Sequence, residues 1–391
     1  MSNNGARPEK LKILICILYY FPHRTGMQLY IQRISEALVA RGHQVTILTA
    51  KHRPELAAEE TINGVRVVRL WAPPIPISRG MVMPEYPLVA ARLIAEHDVV
   101  SIHSPMLESA LVTGLADLLG KKVIITHHGD LILPRGLINR VIQTGMFALY
   151  RFAARRAARV IGYSQDYADH SYYLLPFRDK VSIIYPPVHM PAPNPQRAEE
   201  LRASWSHEGG PVIGFAGRFV EEKRPDLLIR SLDIINQKYP NARIVFAGEY
   251  NIKYENTWEH LQPVVQKYKD QLIFLGMLED MQAMADFFAA CDVLALTSDS
   301  ECFALVQVEA MLSSTPVVMT NTPGGRVPVQ VTGMGKLAPP GDIRAIGEAI
   351  IDIIDHPDAH RQTREQIADT FSFEETVNRY ERTFRENAVT G

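Results

Sequence analysis

The chain has 391 residues, 47% hydrophobic and 21% charged, an ordinary globular composition on a chain too long for one comfortable core, so two domains are expected. Forty-one Lys and Arg stand against 43 Asp and Glu, a formal net charge of -2, which argues against a nucleic-acid binder and against an acidic disordered chain. That total conceals two unlike halves: residues 1–190 hold 22 basic and 14 acidic side chains, leaving 19 and 29 for residues 191–391, balances of +8 and -10. Three cysteines, Cys16, Cys291 and Cys302, have no CxxC spacing, which favours a reducing, cytoplasmic setting over a disulfide framework or zinc site.

The first apolar run, Ile13–Phe21, is about half the ~20 residues that cross a bilayer, and it reads as a buried first strand. Short apolar runs then alternate with helical periodicity. Strands are expected at Lys12–Leu18, Gln44–Thr49, Val65–Leu70, Val99–Ile102, Val123–Thr126 and Val160–Tyr163. Helices are expected at Leu29–Arg41, stopped by Gly42, at Leu107–Leu119 and within Leu137–Ala158. The segment 185–195 carries five prolines and reads as the linker between domains. Beyond it the alternation restarts. Strands are expected at Val212–Ala216, Arg243–Ala247, Leu272–Leu275, Val293–Leu296 and Pro316–Thr320, and helices at Pro225–Lys238, Thr257–Tyr268, Gln282–Ala289 and Leu305–Leu312. A last helix, Phe373–Glu386, is free to pack back across the junction. The expectation is an α/β chain of two facing Rossmann-like, doubly wound domains, 1–190 and 191–372, with a crossing helix in 373–391. Neither half opens with GxGxxG, so a dehydrogenase is disfavoured and a ligand at the carboxyl ends of both sheets is expected.

Two constellations carry the chemistry. After strand Val212–Ala216 comes Gly217-Arg218-Phe219-Val220-Glu221-Glu222-Lys223-Arg224-Pro225. A glycine lets backbone approach a ligand, and two cations five residues apart precede a helix opened by Pro, a fit for a diphosphate. Taken alone, such a pair is better explained by solvated surface charge. The second constellation is Glu301-Cys302-Phe303-Ala304-Leu305-Val306-Gln307-Val308-Glu309. Its end carboxylates should lie on the order of 10 Å apart along one wall, at ~1.5 Å per helical residue, with the amides of Cys302 to Val306 between them.

These residues resemble a retaining glycosyltransferase of family 4, whose GT-B fold pairs two Rossmann-like domains, and the resemblance runs over nearly the whole chain. It implies that Glu301 touches hydroxyls of the donor sugar, that Glu309 binds the ribose, and that Gly217, Arg218 and Lys223 hold the donor diphosphate. Phe303, Ala304, Leu305 and Val306 complete the donor wall. The family's loop after the first strand matches Arg24-Thr25-Gly26-Met27, with Gly26 the residue carried over. Its strand-end histidine falls in Thr126-His127-His128-Gly129-Asp130, where His128 is favoured over His127 as the residue facing the transferred sugar. Ala304 and Ser314 stand where glycine is usual, and Pro328 where the family often has Glu.

The implied reaction moves a hexosyl group from a nucleoside diphosphate sugar, UDP- or GDP-linked, to a hydroxyl of a glycan, lipid or lipid-linked glycan, with retention and no covalent nucleophile. Arg218, Lys223 and the amides near Leu305 would meet charge developing on the β-phosphate. No cofactor or metal is expected: Asp299 and Glu301 resemble a metal-binding pair, but two cations already answer the diphosphate. Rival readings are an epimerase or phosphorylase on the same fold, or a non-catalytic nucleotide-sugar binder. Residues 135–159 hold Arg135, Arg140, Arg151, Arg155, Arg156 and Arg159 with no acid, interleaved with apolar residues. Beside the reading as a sheet-covering helix, this allows peripheral contact with an anionic membrane at its inner face. No nucleic-acid partner is expected.

Overall fold

A computed structural model of the chain describes residues 10–23, 25–73, 81–131, 136–252 and 256–389. Arg24 and Arg135 lie outside them. The chain divides into two compact units, residues 1–187 with 373–391, and residues 188–372.

The first unit runs β1 (Lys12–Cys16), α1 (Gly26–Ala40), β2 (Gln44–Lys51), β3 (Glu59–Ile62), β4 (Val65–Trp71), α2 (Tyr86–Glu96), β5 (Val99–Ser104), α3 (Ser109–Leu118), β6 (Val123–His127), α4 (Leu137–Arg156), β7 (Arg159–Gly162), α5 (Gln165–His170) and β8 (Val181–Ile183). Its eight strands are ordered β3-β4-β2-β1-β5-β6-β7-β8. All neighbours are parallel except β3 and β4. That edge hairpin turns through Asn63 and Gly64, both at positive φ, the two-residue loop whose twist matches the flanking strands. Helices cover both faces of the central strand, so Ile13, Leu14, Ile15 and Cys16 are all buried, which is why β1 reads as a continuous apolar run.

The second unit runs α6 (Pro195–Trp205), β9 (Val212–Ala216), α7 (Pro225–Ile235), β10 (Arg243–Ala247), α8 (Thr257–Lys267), β11 (Leu272–Gly276), α9 (Met281–Ala289), β12 (Val293–Leu296), α10 (Leu305–Leu312), β13 (Val317–Thr320), α11 (Val327–Thr332), β14 (Gly335–Ala338), α12 (Ile343–Asp355) and α13 (Arg364–Thr370). Its sheet is fully parallel in the order β11-β10-β9-β12-β13-β14. On one face Ile213, Phe215, Leu228, Leu232, Ile244, Phe246, Ile346 and Ile350 form a single apolar cluster. In each sheet the winding reverses beside the central strand, between β1 and β5 and between β9 and β12. The loops leaving those strands splay apart and leave room for a ligand at their carboxyl ends.

One organisational boundary shifts. The division falls after Pro187, and the proline-rich segment ends in the first turn of α6, where Pro195 sits at a helix start and the Asn194 side chain caps it. The last helix, α14 (Phe373–Asn387), belongs to the first unit, where Val377, Tyr380 and Phe384 are buried.

Candidate active site

In the second unit the expected donor residues cluster at the switch point. Gly217 follows β9, and Gly248, at φ 138°, approaches it so closely that a Cβ at 248 would stand 2.1 Å from the Gly217 carbonyl oxygen; only glycine fits there. Arg218 comes next, half-buried, with its neighbour Phe219 sunk among Phe215 and Phe246, which anchors the loop from below. Arg224 then adopts a left-handed conformation and pairs with Asp226 at 3.0 Å and Asp299 at 3.1 Å. Hydrogen bonds to Asp226 lead the causes that raise its pKa, so this arginine ties the loop rather than offering a charge to a ligand.

Lys223 and Glu301, 78 positions apart, meet: Nζ lies 2.5 Å from Oε1, and the Ser298 hydroxyl donates to the same carboxylate oxygen at 2.9 Å. The two loops are stitched along their length. The Thr297 hydroxyl donates to the Arg224 carbonyl at 2.7 Å, and the Asp299 N–H to the Glu222 carbonyl at 2.8 Å. Burial works against the Lys223 charge, but the carboxylates of Glu301 and Glu222 outweigh it and lift the pKa above the ordinary lysine value. An ammonium therefore persists at neutral pH. Burial first, and the Glu301 charge second, push the Cys302 thiol up to about 12, which leaves it protonated and a poor nucleophile. Asp299 and Glu301 face different cations, and among the described residues no group of three or more His, Cys, Asp or Glu is placed to hold a metal ion.

Ala304 caps α10 at φ 55°, ψ 75°, and Leu305 opens the helix. Glu301, Ala304, Leu305, Val306 and Glu309 are partly accessible, whereas Phe303 is fully buried, edge-on to Phe371 at 5.7 Å. Of Phe303, then, only the backbone is left to meet a ligand. Sequence reasoning missed the support behind Glu301. Gly324 bridges to it in parallel fashion, at φ 78°, and a Cβ there would stand 2.5 Å from the Cys302 carbonyl oxygen. The Gly-Gly dipeptide was a readable signal for this close approach.

In the first unit, His127 and His128 end β6 and take different surroundings. His127 is buried, stacked on Tyr173 at 4.5 Å, with one ring nitrogen 2.9 Å from Asp130 and the other 3.3 Å from the Ser104 hydroxyl. His128 is half-buried and belongs to a chain: Nε2 lies 2.8 Å from His103 Nδ1, Nδ1 bonds the Tyr163 hydroxyl, and His103 Nε2 is 3.3 Å from Ser101. Burial, and then the neighbouring His103 and His127, drive the His128 pKa well below the usual imidazole value, and burial takes His103 to about 3. Both rings are neutral at physiological pH. Gly26 is exposed as the first residue of α1, next to Thr25 in the helix cap position.

Two α/β sheets, parallel but for the β3–β4 edge, are the two Rossmann-like units of the GT-B fold. The description "Glycosyl transferases group 1" matches residues 197–370, and "Glycosyl transferase 4-like domain" matches residues 25–187. The chain belongs to the family 4-like glycosyltransferases and is a hexosyltransferase. It is 28% identical over 362 residues to the 2-deoxystreptamine N-acetyl-D-glucosaminyltransferase of Streptomyces fradiae, covering 86% of this chain and 84% of that one. To the GDP-mannose-dependent alpha-(1-6)-phosphatidylinositol monomannoside mannosyltransferase of Mycolicibacterium smegmatis it is 26% identical, covering 86% and 87%. Among solved structures, Anabaena HepE in complex with UDP-glucose superposes with a TM-score of 0.77 at 18% identity, covering 96% of this chain and all of that one.

Proposed function

We propose that the donor is a nucleoside diphosphate sugar, UDP- or GDP-linked, held by the second unit, and that the hexosyl group passes with retention to a hydroxyl of a glycan or lipid handled by the first. The observation that carries the reading is the meeting of Lys223 and Glu301 beside Gly217, Arg218 and the start of α10. A diphosphate arriving here competes with Glu301 for the Lys223 ammonium. Once Lys223 turns to phosphate, the Glu301 carboxylate is left to accept from sugar hydroxyls, so donor binding exchanges one ion pair for two ligand contacts. As the glycosidic bond lengthens, negative charge grows on the β-phosphate, and Arg218, Lys223 and the first amides of α10 stand ready to hold it. His128, neutral and held by His103 and Tyr163, serves as a fixed polar wall rather than a proton carrier. Glu309 is assigned to the ribose. The names of the relatives, one acting on 2-deoxystreptamine and one GDP-mannose-dependent on phosphatidylinositol monomannoside, and the UDP-glucose bound by the HepE structure, are consistent with this class of reaction.

Glu301→Ala, Arg218→Ala and Lys223→Ala should each lower turnover by about 10²–10³-fold, the usual loss for a group that meets transition-state charge, with unchanged circular dichroism. Release of nucleoside diphosphate from a panel of donors measures it. Wild-type rates in all three variants would sink the assignment.

A second element bears on the acceptor. Along α4 the exposed side chains Leu137, Val141 and Phe152 share one stripe with Gly145 and Ala148, flanked by Arg140 and Arg151, while Tyr150, Ala153 and Ala154 are buried. Its outer face supports peripheral contact with an anionic membrane that carries a lipid acceptor.

A further inference from the structure

Gln307 lies two residues before Glu309 in α10 and is fully buried. Its side-chain amide donates to the Phe303 carbonyl at 3.2 Å and to the Gly325 carbonyl at 2.7 Å, while its own Oε1 is buried without a hydrogen-bond partner. The neighbouring positions Val308, Ala310 and Met311 are apolar and fully buried. An aliphatic side chain at 307 would spare the helix one unpartnered carbonyl but would leave the Phe303 and Gly325 carbonyls without this donor. What the amide does is tie two loops.

One loop is 301–304, which carries Glu301; the other is 322–326. They already run side by side through the Glu301–Gly324 bridge, and a Cβ on Gly325 would stand 3.1 Å from the Glu301 Cβ. The loop that most needs holding is the first. Ala304 stands at φ 55°, a region in which a side chain crowds the backbone, and an unrestrained alanine falls back to a right-handed or extended conformation. That relaxation would swing Glu301 and the first amides of α10 together. Gln307 grips the turn twice, its backbone N–H on the Ala304 carbonyl at 3.0 Å and its side chain on that of Phe303.

We propose that Gln307 is a positioning residue of the donor loop: its amide clamps the Phe303–Ala304 turn against Gly325 and so keeps Glu301 and the start of α10 in their binding geometry. The proposal rests on the donor assignment above. It goes further in making a buried residue without ligand contact a determinant of donor affinity, and in coupling it to the alanine at 304.

The test uses four full-length proteins: wild type, Gln307→Leu, Ala304→Gly and the double variant. Gln307→Leu should raise the donor KM and the dissociation constant for nucleoside diphosphate about tenfold, in keeping with the loss of buried hydrogen bonds, with the acceptor KM and the circular dichroism of the folded protein unchanged. In the Ala304→Gly background, where the turn needs no restraint, the same change should cost only about threefold, a non-additivity expected of coupled neighbours. An unchanged donor KM, a fall in kcat alone that tracks loss of folded protein, or strictly additive effects would overturn the clamp. If the donor assignment itself is wrong, wild type binds no nucleoside diphosphate, and amide hydrogen exchange decides the clamp independently: faster exchange at Leu305 and Val306 in Gln307→Leu supports it, and unchanged exchange overturns it.

Discussion

Ala304 and Ser314 both sit in the left-handed region, at φ 55° and 66°, and both stand where the family resemblance leads one to expect glycine. The sequence marks them as departures, and the backbone supplies the reason: each is a turn that a Cβ disfavours by about 1 kcal/mol. Ser314 is exposed at the end of α10, where it follows Ser313 before β13. Ser314→Gly should therefore stabilise the protein by about 1 kcal/mol, less the added entropy of the unfolded chain, seen as a higher denaturation midpoint; a lower one would refute the strain. Glu301, Lys223 and Arg218 were legible as candidates because they stand at telling spacings beside predicted strands. The contact between Lys223 and Glu301 was not, because it depends on β9 and β12 being neighbours in the sheet, which residue spacing does not encode. Nor did spacing distinguish the surroundings of His127 and His128, whose partners Asp130, His103 and Tyr163 come from a loop and two other strand ends.

Among the elements, α14 was read in both span and role, since a helix expected to return across the junction does join the first unit. Its polar face is clasped to the first unit: Glu381 accepts from Arg41 at 2.6 Å and from Arg385 at 2.6 Å, and its carboxylate lies 3.2 Å from the His43 ring. Arg41 also pairs with Glu374. Burial opposes the Glu381 charge, yet the bonds from Arg385, Arg41 and His43 prevail and hold its pKa down from 4.5 to about 2. A depressed carboxylate stabilises the fold fully above its unfolded value and loses that contribution as pH falls through the folded one. Stability should therefore decline between about pH 4.5 and 2. Glu381→Gln should flatten the decline in that window and cost about 2 kcal/mol at pH 7, the worth of hydrogen bonds to a charged group, measured by denaturant unfolding across pH. A mutant curve parallel to wild type would remove Glu381 from the account. The elements that escaped the sequence reading have physical causes. β3 is short and lies at a sheet edge with half its side chains exposed, and β14 is a four-residue edge strand, so neither carries the apolar run of a central strand. α6 was concealed because Pro195 closes a proline-rich stretch and also opens a helix.

At the scale of the molecule, the opposed charge of the two halves acquires locations. The acidic half carries Arg218, Lys223 and Arg224 in one loop, where Asp226 and Asp299 consume Arg224 while Lys223 faces Glu301. In the basic half, α4 displays arginines around an exposed apolar stripe that includes Leu137, 80% exposed, and Val141, 65% exposed. Vesicles containing anionic phospholipid should sediment the protein at low salt, and uncharged vesicles should not. Raised salt should weaken that association more than donor affinity, because exposed charges are screened over a Debye length of about 10 Å at 0.1 M. Joint replacement of Leu137, Val141 and Phe152 by Ser should abolish it while soluble-acceptor turnover persists. Retention of vesicle binding by that variant would move the contact elsewhere.

The first unit is built from two separated stretches of the polypeptide, with Val188–Ser372 intervening. Its core includes the Tyr30–Tyr380 hydroxyl pair, the Thr126 hydroxyl 3.1 Å from Tyr380, and Lys121 donating to the Val389 carbonyl at 3.1 Å. During synthesis at about 5–20 residues per second, the nascent N-terminal sheet waits roughly 10–40 s for the helix that seals it, while the unit translated later has already gathered all its strands. Birth order and maturation order are thus inverted. A stop codon after Ser372 should leave the later-made unit with its own cooperative melt and cost the earlier-made one its transition, so a lesion at the extreme carboxyl end would be felt as a defect of the amino-terminal half.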